Sequence, residues 1–351
     1  MRVAIDATPL TLSSGGLARY TSELSTALAR EFSDDNFTLV SDQPFAMPSP
    51  LPNLQRAGRP RTFLEKRWWS WGLNRELARQ GADLFHGTDF AVPYVPVRPS
   101  VLTLLDLSPW MEAGWHSGAG RVRRRTPLLI RFQIATLIIT LTEAVRNQAI
   151  SEMRIHPSRI AAIPLAASPH FRPVEPGCRK PYFLYVGTLE PRKNIEGLVA
   201  AWRAVRKRAA VELVLAGRSR ADFAGLRPET GLHILGEVPD SDLPALYSGA
   251  VAFIYPSHYE GFGLPVLEAM QCGACVITSR DPAIGEVAGD AAVRVDDPRQ
   301  LAEAMITAAT RPEWVLVWRE RGLRRAGDFS WARTARLTRE AYDEALRRFY
   351  G

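Results

Sequence analysis

The sequence predicts an α/β protein built from two doubly wound parallel sheets, and three observations lead there. Strand-like apolar runs alternate with helix-length segments from the first residues onward. The alternation stops once, in the proline-rich stretch "PHFRPVEPGCRKP" from Pro169 to Pro181, and then restarts. The chain's 351 residues also exceed the roughly 250–300 at which a single hydrophobic core stops growing.

In order along the first half, the strand candidates are "RVAID", "FTLVS", "DLFHG", "SVLTLLD", "TLIITLT" and "RIAAIP". Between the first two, "SSGGLARYTSELSTALA" sets Gly15 and Gly16 ahead of an amphipathic helix with Leu17, Tyr20, Leu24 and Leu28 on one stripe. Past the proline stretch come "YFLYVG", "VELVLAG", "HILG", "VAFIYP", "CVITS" and "AAVRV". Beyond Pro298 the pattern is helical to the end, with Trp331, Leu337, Tyr342 and Leu346 among the apolar positions of the last helix. The expected divisions are therefore 1–172, 173–330 and a terminal helix over 331–351. Two such sheets facing each other make a cleft, and ligands settle outside the carboxyl ends of parallel strands.

Composition narrows the function. Apolar residues make up 46% and charged residues 23%, an ordinary globular balance. The net charge of +7 comes without zinc-finger spacing, RNP-type aromatics or a basic heptad region, so nucleic acid is not the expected partner. The run "LLIRFQIATLIITL", Leu128 to Leu141, contains Arg131 and Gln133 and is shorter than the roughly 20 residues that span a bilayer. The start "MRVAIDATPL" lacks a secretory layout, which predicts a cytoplasmic protein. Cys272 and Cys275 form a CxxC with no second Cys or His cluster, so no metal is expected there. Two segments, "RAGRPRTFLEKRWWSWGLNR" and "RVRRRTPLLIRF", mix cations with Trp and apolar residues and suit an anionic membrane surface. A plainer reading leaves them as a solvated face with tryptophans in the core.

The chemistry concentrates in "PSHYEGFGLPVLEAM", Pro256 to Met270. A strand ends near Pro256, Gly261 and Gly263 allow close approach to the backbone, and Pro265 fits the first position of a helix. Phe262 to Pro265 then lies at a helix N-terminus, where N–H groups and the positive dipole end suit a phosphate. Glu268, one turn on, leans back toward the same place, and a carboxylate there needs a donor such as a ribose diol. Glu260 is placed to accept from hydroxyls of a second sugar. A plainer reading makes both acids dipole partners of one helix, worth about 0.3–1 kcal/mol each. A second constellation, "YVGTLEPRKN", puts Gly187 and Thr188 at a strand end and follows them with Arg192 and Lys193, two cations able to neutralise a diphosphate. Its plainer reading is a solvated loop with Asn194 as a helix cap. The ligand so described is a nucleotide sugar.

"FLYVGTLEPRKN", "YPSHYEGFGLPVLEAMQCG" with its two glutamates, "GEVAGDAA" and the terminal "FSW" together resemble glycosyltransferase family 4 over nearly the whole chain. The resemblance implies the GT-B architecture, two Rossmann-like domains facing a cleft, with the C-terminal helix crossing back to the first domain. It further implies an acceptor-binding first domain, a donor-binding second domain and a retaining, metal-independent hexosyltransferase. Arg192 and Lys193 are implied to hold the diphosphate, Glu268 the ribose, and Glu260 with the backbone of Gly261, Phe262, Gly263 and Leu264 the donor sugar and phosphates. Gly15 and Gly16 are implied to face the donor phosphates, and Gly236 to Val238 the base.

One departure stands out: in "TLLDLSPW", Leu105 replaces the His of the family's usual His-Asp pair and Asp106 is kept. Asp106 is expected to position or deprotonate the acceptor hydroxyl, with His86 or His116 approaching from neighbouring loops; alternatively Asp106 only caps the next segment. The expected donor is GDP-mannose or another GDP- or UDP-linked sugar. The expected acceptor is a saccharide or lipid-linked saccharide of a surface polysaccharide such as lipopolysaccharide, met by a peripheral protein on the inner membrane face. Rival readings are a degenerate subunit that binds nucleotide sugar without turnover, and an epimerase or phosphorylase of the same architecture.

Overall fold

Short runs of Val, Ile, Leu and Phe with no polar alternation, bounded by turn residues, suit strands buried on both faces, and that is how the chain uses them. The computed structural model describes residues 1–351 apart from Ser13, Ser14, Arg59, Arg61, Ala113, Gly114, His116, Ser117, Pro176, Cys178, Arg179, Ala221, Asp222 and Ala224. His116, expected near the acceptor, therefore lies outside the described residues.

The first sheet contains β1 (Arg2–Asp6), β2 (Asn36–Val40), β3 (Leu54–Ala57), β4 (Leu84–Gly87), β5 (Ser100–Thr103), β6 (Leu137–Thr140) and β7 (Ile160–Ala162), in the order β3-β2-β1-β4-β5-β6-β7 and parallel throughout. The second contains β8 (Tyr182–Val186), β9 (Glu212–Ala216), β10 (Leu232–Gly236), β11 (Ala252–Tyr255), β12 (Val276–Ser279) and β13 (Val293–Val295), ordered β10-β9-β8-β11-β12-β13 and also parallel. Both follow the Rossmann order, with the topological switch between β1 and β4 in one sheet and between β8 and β11 in the other. Strand β3 was absent from the sequence reading. It is an edge strand whose Gln55 and Arg56 are exposed, so it carries no apolar run to betray it.

Chain contacts divide the molecule into one unit of Met1–Leu165 with Ser330–Gly351, and a second of Ala166–Phe329. The division falls after Leu165 and not at 172, because Gln271 donates to the carbonyls of Ser168 (2.9 Å) and Phe171 (2.7 Å), and Phe171 is fully buried edge-on to Tyr247. Part of the proline stretch is thus packed into the second unit.

The first unit carries α1 (Gly16–Glu31), α2 (Leu73–Gln80), α3 (Gly120–Arg131) and α4 (Glu143–Met153). The second carries α5 (Ile195–Val205), α6 (Leu243–Gly249), α7 (Leu264–Gln271), α8 (Pro282–Ala288), α9 (Pro298–Thr310) and α10 (Pro312–Ala326). The last helix, α11 (Trp331–Tyr350), returns to the first unit and packs on α1, β5 and β6. Its buried positions, Trp331, Thr334, Ala335, Thr338, Ala341, Tyr342 and Ala345, recur at helical spacing along one stripe, and the Ser330 side chain caps its first turn by accepting from the Arg333 amide.

Cys272 and Cys275 are free and buried where α7 gives way to β12, with burial pushing both thiols up to about 12. They pack as small apolar groups.

Candidate functional site

The second sheet's switch point gathers the chemistry-bearing residues. Strand β8 ends at Val186, and Gly187 follows with φ 149°; a Cβ there would lie 2.9 Å from the Tyr185 hydroxyl, which itself donates to the Thr188 carbonyl at 3.0 Å. The chain then makes one 3-10 turn, Pro191–Lys193, before Asn194 turns left-handed (φ 54°) into α5. Asn194 occupies the N-cap position, yet its side chain makes no capping bond. Across the switch, β11 runs into the buried segment Tyr259–Leu264, and Gly263 at φ 90° starts α7, with Leu264 at its first position and Pro265 one later than expected.

These two loops join through charge. The Lys193 ammonium donates to the Tyr255 hydroxyl at 2.9 Å and to the Glu260 carboxylate. Arg192 reaches the Tyr259 carbonyl (3.0 Å), Glu260 (3.2 Å) and Glu190 (2.7 Å), and Arg220 holds the other oxygen of Glu190 at 2.8 Å. Burial alone would raise the Glu260 carboxyl, but Lys193 and Arg192 outweigh it and hold it down at about 2. Burial and Arg192 lower Lys193, against the pull of Glu260. Arg192, Lys193 and Arg220 meet Glu260 and Glu190 next to the loop that leads into α7, with Asp281 accepting from the Glu260 amide at 3.2 Å. The cations and the amides at the amino end of α7 are the groups there suited to an anion.

Glu268 is almost fully buried and accepts from the Tyr247 hydroxyl at 3.0 Å. Phe262 turns its ring into the core against Phe329 (6.2 Å), so only its backbone is available to a ligand. Val238 is half-buried just beyond β10.

In the first unit, Gly15 (φ 110°) and Gly16 open α1 in exposed positions, with nothing within 4 Å of where a Cβ would stand. Asp106 follows β5, and its Oδ1 accepts from the amide (2.9 Å) and hydroxyl (2.6 Å) of Ser108, capping the short turn Ser108–Trp110. His86 is not available to an acceptor. It is fully buried between Thr103 (2.8 Å) and the Tyr342 hydroxyl (2.7 Å), and burial drives its pKa down to about 3. The sequence places His86 in the strand run "DLFHG" with an approach to the acceptor expected from the adjoining loop; it is the third residue of β4 and points at α11 instead.

The pattern of the family described as Glycosyltransferase Family 4 matches residues 14–171, and that of Glycosyl transferases group 1 matches residues 170–325. The O-antigen chain mannosyltransferase B of Escherichia coli is 35% identical over 283 residues, 74% of each chain. The chain belongs to glycosyltransferase family 4.

Solved structures similar to this family 4 enzyme share its fold at low identity. Sucrose-phosphate synthase from Thermosynechococcus elongatus matches with TM-score 0.76 and 21% identity over 97% of this chain and 98% of its own. HepE from Anabaena, solved in complex with UDP and glucose, matches with TM-score 0.74 and 17% identity over 98% and 99%. The sequence of this glycosyltransferase does not single out Tyr255, Glu190, Arg220 and Tyr247, the partners of its charged residues, or Tyr185, whose hydroxyl holds the Thr188 carbonyl. Tyr255 carried a readable signal: it is the last residue of the strand that precedes the glutamate loop. Arg220 and Tyr247 carried none, since both reach their partners from distant segments.

Proposed function

We propose that the chain transfers mannose from GDP-mannose to a hydroxyl of a saccharide or lipid-linked acceptor in surface polysaccharide synthesis, with retention of configuration and without a metal. The carrying observation is the Arg192, Lys193 and Glu260 cluster at the second switch point, beside the amino end of α7. As the anomeric carbon–oxygen bond breaks, negative charge grows on the departing diphosphate. Arg192, Lys193 and the amides at the start of α7 are arranged for that charge and strengthen as it forms, which is the condition for accelerating the step. The acceptor oxygen enters on the face the diphosphate leaves, and its proton passes to the phosphate. Glu268 holds the ribose hydroxyls and Glu260 those of the donor sugar. The choice of mannose is supported by the E. coli relative named above, whose name is mannosyltransferase.

The test is a thermal-shift panel of GDP, UDP, ADP and dTDP with their sugars, because a ligand bound only by the folded chain raises its midpoint. GDP-mannose should give the largest shift, and turnover should release GDP undiminished by EDTA. A larger shift from a UDP-sugar removes the donor assignment, and loss of turnover with EDTA removes the metal-free mechanism.

The acceptor is proposed to be met at an anionic membrane surface. Phe63 (82% exposed) and Trp71 (56%) stand out beside exposed Lys66 and Arg67, and on α3 the residues Arg121, Arg124, Leu128 and Arg131 form one exposed stripe ending at Phe132. Cations for lipid phosphates next to aromatic residues for the interface are what peripheral binding requires. Among the described residues no helix is long and apolar enough to cross a membrane. Flotation should depend on anionic lipid, and equal flotation with neutral vesicles would end this part of the proposal.

A further inference from the structure

The first sheet has a switch point of its own, between β1 and β4, and its loop is built with unusual economy of space. The loop after β4 reads Gly87, Thr88, Asp89, Phe90, Ala91. A Cβ on Gly87 would stand 1.7 Å from the Ala91 carbonyl oxygen, so the chain turns back on itself where only glycine fits. Thr88 is fully buried and donates to the Asp6 carbonyl at 3.0 Å. Phe90 is held at φ 53°, its amide on the Thr103 carbonyl (3.2 Å) and its own carbonyl accepting from Thr126 of α3 (2.9 Å). A bulky residue in the left-handed region is a strained arrangement that its surroundings must enforce.

What this loop presents is Asp89. Among the described residues its carboxylate makes no hydrogen bond or ion pair, although it feels the charges of Arg125 and Asp106. Arg125, from α3, lies over the Trp69 ring at 5.5 Å, and its Nε is buried and without a partner among the described residues. The Trp69 carbonyl in turn accepts from the Tyr94 amide at 2.9 Å, which ties the backbone there to the segment after β4. The Asp89 carboxylate and the Arg125 guanidinium therefore lie near enough to interact electrostatically, and among the described residues neither that carboxylate nor the Arg125 Nε has a hydrogen-bond partner. A half-buried carboxylate and a buried guanidinium N–H left so are costly unless a polar ligand completes them.

We propose that Asp89 is an acceptor-binding residue of this transferase, accepting from one hydroxyl of the acceptor saccharide while Arg125 donates to a neighbouring oxygen of the same sugar. This rests on the transferase reading above and deepens it. Asp89, the first-unit counterpart of the glutamate loop in its position after the strand beyond the switch, gives the acceptor side a specificity residue distinct from Asp106, whose Oδ1 is occupied by Ser108.

The pH dependence supplies a readout that a merely structural residue would not give. Burial pushes the Asp89 carboxyl up to about 6, with Arg125 opposing and Asp106 adding to the rise; Asp6, itself pushed up by burial with Asp42 and Asp89 adding, is the other acid in this field. The ionised form is the better acceptor of a hydroxyl, so acceptor kcat/KM rises as pH passes through about 6.

The experiment measures turnover of octyl α-mannoside, octyl β-galactoside and octyl β-glucosaminide with saturating GDP-mannose, then compares Asp89→Asn and Asp89→Ala with the wild type on the best of them. Acceptor KM should rise by about tenfold or more in both variants, the inflection near pH 6 should vanish in Asp89→Asn, and the thermal shift given by GDP-mannose should stay as in the wild type. An unchanged acceptor KM, or a pH profile that keeps its inflection in Asp89→Asn, overturns the role of Asp89 and leaves the transferase reading standing. A wild type that shifts with no nucleotide sugar and turns over none of the glycosides overturns both.

Discussion

Glu260 keeps its charge in a buried place only because Lys193 and Arg192 face it, and that dependence gives a prediction at the scale of one residue. Burial raises its pKa and the two cations lower it further, to about 2 against an ordinary 4.5. A carboxyl depressed on folding contributes stability that is complete above 4.5 and lost as pH falls from there toward 2. Glu260→Gln should therefore lower the thermal midpoint at pH 7, since breaking a buried pair costs on the order of 3–5 kcal/mol, and the gap to wild type should narrow as pH drops below 4.5. A gap constant with pH in scanning calorimetry would show that Glu260 is not held ionised. Asp6 has the opposite sign. Burial lifts it to about 7 from 3.8 against the hydrogen bonds from Thr8, so its ionisation opposes folding as pH rises through that interval. Asp6→Asn, which still accepts from Thr8, should raise the midpoint at pH 8 more than at pH 4; an equal change at both would refute this. Residues of this kind divide sharply in how far the sequence reveals them. Glu260 and Glu268 are legible because glycines frame them, whereas Tyr247, the partner of Glu268, is brought to it by a folding contact across 21 residues that no local pattern encodes.

Among the elements, α11 is tied to the first sheet by a buried polar chain running from Tyr20 through Thr103 (2.9 Å) and His86 to Tyr342. Sequence periodicity finds the helix, with Trp331 and Tyr342 in its buried stripe but Leu337 and Leu346 only half-buried, and among the described residues it finds twelve of thirteen strands and misses the polar edge strand β3. It does not find the chain, because a histidine inside an apolar strand looks the same whether it faces a ligand or a helix. Tyr342→Phe removes one partner from a buried ring nitrogen and should cost about 1–3 kcal/mol. Burial depresses His86 to about 3 from 6.5, so the unfolded chain takes up the proton first and the stability carried by the neutral ring is lost as pH falls from 6.5 toward 3. His86→Gln should thus be less stable than wild type at pH 7 by a margin that narrows over that interval, while kcat at temperatures well below its midpoint stays within about twofold, the signature of a residue that holds an element and touches no substrate. A large fall in kcat with an unchanged midpoint would return His86 to the reaction.

At the scale of the whole molecule, the first unit is discontinuous in sequence: its last helix arrives only after the second unit has been completed. Besides the polar chain, α11 brings Arg339 onto Asp35 (2.6 Å), Arg336 onto Glu31 (3.0 Å) and Thr334 onto the Pro164 carbonyl (2.7 Å), all partners within the first unit. Ending the chain at Phe329 deletes these together with the buried stripe of Trp331, Ala335, Tyr342 and Ala345, and exposes the faces of α1, β5 and β6 that they cover. Losing two buried aromatic side chains already removes several kcal/mol, a large share of the 5–15 kcal/mol that holds an ordinary domain. The second unit loses none of its own contacts, because the Phe329 ring remains against Phe262. Hydrogen exchange on the truncated chain should show β4 to β6 and α1 unprotected, with α7 and β11 protected and still responsive to GDP-mannose. Protection lost from both sheets together would mean that the two units do not fold as separate bodies and that donor binding depends on the whole chain.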